Sequence, residues 1–169
     1  YREHTLSEKE EALLAASGEM GRTMRDVFDM LDNADLQLGT IEGEDGETIS
    51  LTHGNFQSLL QHYDRRIRQD AFHIYYKAYE SHQYTYSTLL AGSIKKDLFY
   101  SRAKNFPSYR AKSLFSENIP VAVYDNLIES VHQNLDPLYK YFDLRKRLLK
   151  LDELHIYDCS VPLVEGIKW

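Results

Sequence analysis

The chain has 169 residues, 43% apolar and 27% charged, with a formal net charge of −6. That length and apolar content allow a real core, burying roughly 70% of the unfolded chain's surface, and exclude a disordered or collagen-like polymer. One cysteine, Cys159, excludes an internal disulfide and a Cys-rich zinc module. No run of 18 apolar residues occurs, so no membrane-spanning helix is expected and no membrane partner is assigned. The acidic balance likewise argues against nucleic acid as a partner, since phosphate attraction supplies most non-specific affinity.

Ser7-Glu8-Lys9-Glu10 reads as a capping box opening a short helix that Gly18 is expected to stop. Met24, Val27, Phe28 and Leu31 repeat at helical spacing and predict a second helix. The period then changes to two. Leu36 and Leu38, then Ile49 and Leu51, alternate on either side of an acidic Asp45-Gly46 turn, predicting a β-hairpin over residues 35–51. Two strands alone cannot bury a face, so helices must cover it.

Thr52 is expected to cap a short helix, and Asp64 a much longer one. Ile67, Ala71, Ile74, Ala78 and Leu89 keep helical spacing, and no proline intervenes before Pro107. One helix from about 65 to about 103 is therefore expected, with Gly92-Ser93 as its natural bend. Ser108 starts a short segment that Asn118-Ile119-Pro120 interrupts. Val123, Leu127, Val131 and Leu135 form an i, i+4 ladder, and Pro137 permits either a new helix or a kinked continuation, with Leu138, Phe142 and Leu149 as its apolar face. Residues 155–164 read as extended and uncapped. The fold class is mainly α, multi-helical, with one long helix and a small hairpin.

The basic runs Arg65-Arg66-Ile67-Arg68 and Arg145-Lys146-Arg147 read as solvated helix faces, with acidic residues close by in sequence. None of the seven histidines is followed by glutamate, so the His-Glu-x-x-His pattern of zinc peptidases is absent. His73 and His82 read as helix packing or surface residues. His132 sits one turn from Glu129, and His155 lies among Asp152, Glu153 and Asp158 in a turn. Cys159 reads as a small buried hydrophobe, with cysteine-dependent chemistry possible only if folding brings a base to it. Tyr75, Tyr76, Tyr79, Tyr84 and Tyr86 ring the long helix and suit a partly wet packing face. No catalytic, metal-binding or cofactor-binding residue is assigned.

Several runs nevertheless carry a family pattern. Asn33-Ala34-Asp35-Leu36, Leu51-Thr52-His53-Gly54-Asn55-Phe56 and Asp64-Arg65-Arg66-Ile67-Arg68 occur in the first half. Lys95-Lys96-Asp97-Leu98-Phe99-Tyr100, Asn118-Ile119-Pro120, Val123-Tyr124-Asp125-Asn126-Leu127 and Leu151-Asp152-Glu153-Leu154-His155 follow in the second. In order and spacing they resemble the N-terminal portion of oligoendopeptidase F, of the thimet-oligopeptidase-like zinc metallopeptidases.

The resemblance implies a helical, cytoplasmic parent enzyme that hydrolyses short peptides at zinc inside a channel. It places the His-Glu-x-Gly-His motif and a later glutamate C-terminal to every residue here. It matches residues 1–75 to the family's N-terminal domain and 90–169 to the opening of the catalytic domain. The expected partners are short peptides and the missing C-terminal catalytic region. Uncovered apolar surface would favour self-association of this chain. The alternative is a freestanding helical module that binds protein or peptide through the tyrosine-rich face.

Overall fold

A computed structural model describes residues 2–164. In chain order the elements are α1 (Glu8–Ala16), α2 (Gly18–Met30), β1 (Thr40–Glu42), β2 (Thr48–Ser50), α3 (His53–Leu59) and α4 (Arg65–Glu80). Then follow α5 (Gln83–Ala103), α6 (Tyr109–Phe115), α7 (Val121–Gln133) and α8 (Leu135–Leu148), with a 3-10 turn at Ile156–Asp158. The fold is mainly helical with one antiparallel hairpin, as expected. Two compact units share the chain discontinuously: residues 1–35 with 83–132, and residues 36–82 with 133–169.

In the second unit the hairpin pairs Ile41 with Ile49 and turns them toward α4. Leu36, Leu38, Ile41, Leu51, Leu59, Ile67 and Ala71 form its core, with Ile74 and Ala78 packed against it. The inward residues of α4 are thus the ones its helical spacing selects. Thr52 and Asp64 both act as caps: Thr52 accepts from the Asn55 amide and Asp64 from the Arg66 amide. Arg66 reaches back to the hairpin and donates to the carbonyls of Glu42 (2.9 Å) and Gly43 (3.0 Å). Gly39 has φ +85°, and a Cβ there would lie 2.8 Å from Ile74 Cγ2. Only glycine both adopts that backbone and lets the hairpin sit this close to α4.

The first unit packs α2 along α5. Gly92 does not bend α5; it lies inside the helix, where a Cβ would stand 2.5 Å from Met24 Sδ. Its missing side chain is the seat of Met24. The continuous helix expected over 65–103 instead breaks at Ser81-His82, leaving α5 as the longest helix at 21 residues. Ser81 Oγ donates to the Ala78 carbonyl (2.6 Å), and His82 Nδ1 lies 3.2 Å from the same oxygen. The His82 amide then turns to the Tyr79 carbonyl, a 3-10 bond that ends α4. Side chains that compete for backbone acceptors stop the helix, without glycine or proline.

The first junction differs in the same way. Ser7 forms the full capping box with Glu10, but α1 ends at Ala16 and Gly18 opens α2. Ser17 marks the join, with its Oγ on the Leu14 carbonyl and 2.8 Å from Tyr100 Oη. Ser108 caps α6, and Asn118 (φ +53°) ends that segment with a left-handed residue.

Candidate functional site

Six of the seven histidines make a local contact, His82 through the bonds that end α4. His4 stacks on Phe106 at 3.6 Å and its Nδ1 donates to the Lys104 carbonyl (2.9 Å), which fixes the tautomer. His53 Nδ1 meets Tyr75 Oη at 2.9 Å, and His62 Nδ1 accepts from the Asp64 amide. His73 makes ring contacts with Phe72 and Tyr157. His132 is exposed at the end of α7. His155 stacks over Tyr157 and precedes the 3-10 turn, the turn role expected for it.

Two imidazoles approach a carboxylate, His62 to Glu44 and His155 to Glu153, each at 3.7 Å. Each pair offers two donors, short of the three protein ligands that a catalytic zinc requires. Among the described residues no group of three or more His, Cys, Asp or Glu could hold a metal ion. The donor set described here does not fit zinc.

The five tyrosines of the expected long helix divide between two helices. Tyr75, Tyr76 and Tyr79 lie on α4, and Tyr84 and Tyr86 on α5. Tyr75 stacks on Phe56 at 3.8 Å, and Tyr86 donates to Asp32 (3.3 Å). A groove of about 540 Å³ in the first unit is lined by His4, Lys104, Phe106, Tyr109, Lys112 and Phe115. Its ion pair is internal, Lys104 to Glu11 at 2.9 Å, and it presents no convergent nucleophile and base.

The densest polar centre is one that residue spacing did not reveal. Residues 155–164 are not extended: they fold back onto α4 through the 3-10 turn and bury Tyr157, Asp158 and Val161. The basic runs are not wholly solvated either, because Arg68 (3% exposed) and Arg145 (4% exposed) point inward to this segment. Asp158 Oδ1 accepts from Arg65 Nε (3.1 Å) and Arg68 Nη2 (2.8 Å). Its Oδ2 accepts from Arg65 Nη2 (2.9 Å) and the His155 amide (3.1 Å). Arg68 also donates to the carbonyls of His62, Tyr63 and Tyr157, and Arg145 to those of Asp158 and Val161.

Burial opposes the charge on Asp158. The hydrogen bonds from Arg65, Arg68 and the His155 amide outweigh it and hold the carboxyl below the usual carboxylate range. In return the bond to Asp158 raises the pKa of Arg65. Four donors use the carboxylate's four lone-pair directions, so Asp158 has no capacity left to act as a base or metal ligand. It is a clamp. Cys159, next along, is half-buried, and burial pushes its thiol up. Its Sγ lies 3.5 Å from the His155 carbonyl, and the pull of the Arg145 charge toward the thiolate is outweighed by that burial.

The Peptidase family M3 model matches residues 58–161, more than half of the chain. This chain belongs to peptidase family M3. The Oligopeptidase F model matches residues 1–37, so this M3 chain carries both family signatures in order. It is 44% identical to oligopeptidase PepF of Bacillus subtilis over 97% of its own length and 24% of the relative's. Against an oligoendopeptidase F homolog of Lactococcus lactis the figures are 39%, 95% and 27%. The chain thus spans about a quarter of the length of these curated relatives.

A crystal structure of oligoendopeptidase-F from Enterococcus faecium superposes with a TM-score of 0.94 at 42% identity. That match covers 97% of this chain and 32% of the other. A putative peptidase from Chlamydophila abortus gives 0.93 at 30% identity, with 99% and 28% covered. The family found is the one that the ordered residue runs resemble.

Proposed function

We propose that this M3 chain is the non-catalytic amino-terminal part of a zinc metalloendopeptidase that hydrolyses short peptides. Its helices form part of the wall that limits which substrates enter. In this reading residues 1–75 make the family's N-terminal domain and residues 90–169 open the catalytic domain. The zinc ligands belong to polypeptide outside these residues, and the parent enzyme works in the cytoplasm.

The observation that supports the reading is coverage. Nearly all of this chain aligns with relatives of which it spans only 24% to 27%. The parts of this chain with dense polar contacts do work suited to a wall. The Asp158 clamp fixes the returning segment, and His4 packs against the Phe106 ring and the Lys104 carbonyl. On this reading the chain binds and orients nothing at a reacting bond; it holds a rigid surface.

Sequencing the gene beyond Trp169 tests this cheaply. The expected result is a continuing reading frame that encodes His-Glu-x-Gly-His and a later glutamate. A stop codon directly after Trp169 would overturn it and favour the freestanding interaction module.

A further inference from the structure

Helix α7 has no buried residue along its 13 positions. Val123, Leu127 and Val131 are 54%, 61% and 52% exposed, and Tyr124 and Ile128 are also open to solvent. At about 100° per residue these five side chains share one arc. Ala122, Asp125, Asn126, Glu129 and Gln133 occupy the other. The first three rungs of the expected ladder therefore lie on α7, while Leu135 opens α8, and nothing among the described residues covers the three.

A helix of this length is marginal in water unless its apolar face is packed. Two of its ties lie near its start. Arg110 donates to Asp125 at 2.7 Å, and the Arg110 guanidinium sits over the Tyr124 ring at 5.4 Å. Leu127, Ile128 and Val131 gain nothing from those contacts. The relatives, meanwhile, are about four times as long as the matched region, so they have ample polypeptide to cover such a face.

We propose that the Val123-Leu127-Val131 stripe of α7 is the docking face for the polypeptide that follows the matched region in an oligoendopeptidase F protein. This rests on the proposal that the chain is part of a longer peptidase, and it names the surface through which that part is held. The occupant presents a complementary apolar face. An anionic lipid surface is disfavoured, because Asp125 and Glu129 lie on the exposed polar side.

The test compares amide hydrogen exchange in this 169-residue chain with that in the longer gene product. The α7 amides are expected to exchange at least roughly tenfold more slowly in the longer protein. Amides of α4, whose face is already covered here, serve as the internal reference and should change little. In the longer protein Leu127→Glu with Val131→Glu should abolish the slowing, whereas Ala122→Glu on the opposite arc should keep it. The wild-type comparison stands even if the double variant misfolds.

Equal α7 exchange in both proteins would overturn the docking face while leaving the family reading intact. Protection already present in the short chain that rises with concentration would make a second copy the occupant, and would also overturn it. A gene that ends at Trp169 would sink both proposals together.

Discussion

Asp158→Asn is expected to destabilise the second unit by about 3–5 kcal/mol, the usual cost of removing one partner from a buried ion pair. For a chain of this size that corresponds to a fall in melting temperature of roughly 6–20 °C. The reason is geometric. Asp158 is fully buried and is the carboxylate facing Arg68, which is itself 3% exposed. Asparagine keeps the shape but leaves a buried guanidinium uncompensated. Thermal melts of the purified variant read the effect, and a shift under 1 °C would show that the clamp is not what secures the C-terminal segment.

The same centre sets a pH dependence. The folded-state pKa of Asp158 lies below its unfolded value, so its contribution is fully present above the ordinary carboxylate pKa of about 3.9. It is lost as pH falls through the lower folded-state value. The gap between wild type and Asp158→Asn should therefore hold constant from neutral pH down to about pH 4 and narrow below it.

Gly39→Val is the second large effect, at about 2–6 kcal/mol. Roughly 1–3 kcal/mol comes from forcing a β-branched residue into positive φ, and a similar amount from driving its Cβ into Ile74. The two costs have a common origin, since the left-handed turn at Gly39 brings β1 against α4. Gly18→Ala is the matched control: nothing lies within 4 Å of a Cβ there. That control should be neutral or slightly stabilising by denaturant titration. Equal midpoints for Gly39→Val and wild type would contradict the close hairpin–helix packing.

Signals in the chain are legible where their physics is local. The caps at Ser7, Thr52, Asp64 and Ser108 each use a side-chain oxygen within three residues of the amide it satisfies. The Asp45-Gly46 turn and the alternation around it fix the hairpin by the same short-range rules. The helix break at Ser81-His82 was hidden because serine and histidine are tolerated inside helices. Only the competition for the Ala78 carbonyl reveals the stop.

The Asp158 clamp was hidden for a different reason. Its arginines are 90 and 93 residues away in sequence, so no spacing rule connects them. Sequence proximity pairs both basic runs instead with the nearest acidic residues, which is where a solvated helix finds its charges. Tyr157, Asp158 and Val161 are buried only because the segment folds back onto α4, which no local pattern announces. For α7, periodicity correctly marked an apolar face and could not tell whether this chain supplies its cover.

In the proposed reading this chain supplies scaffold and leaves the chemistry to other polypeptide. Incubating the purified, tag-free chain with a quenched short peptide, with and without a chelator, tests it most directly. The expected result is no chelator-sensitive cleavage and no stoichiometric zinc on the chain. Cleavage that co-purifies with the chain and stops on chelation would contradict it.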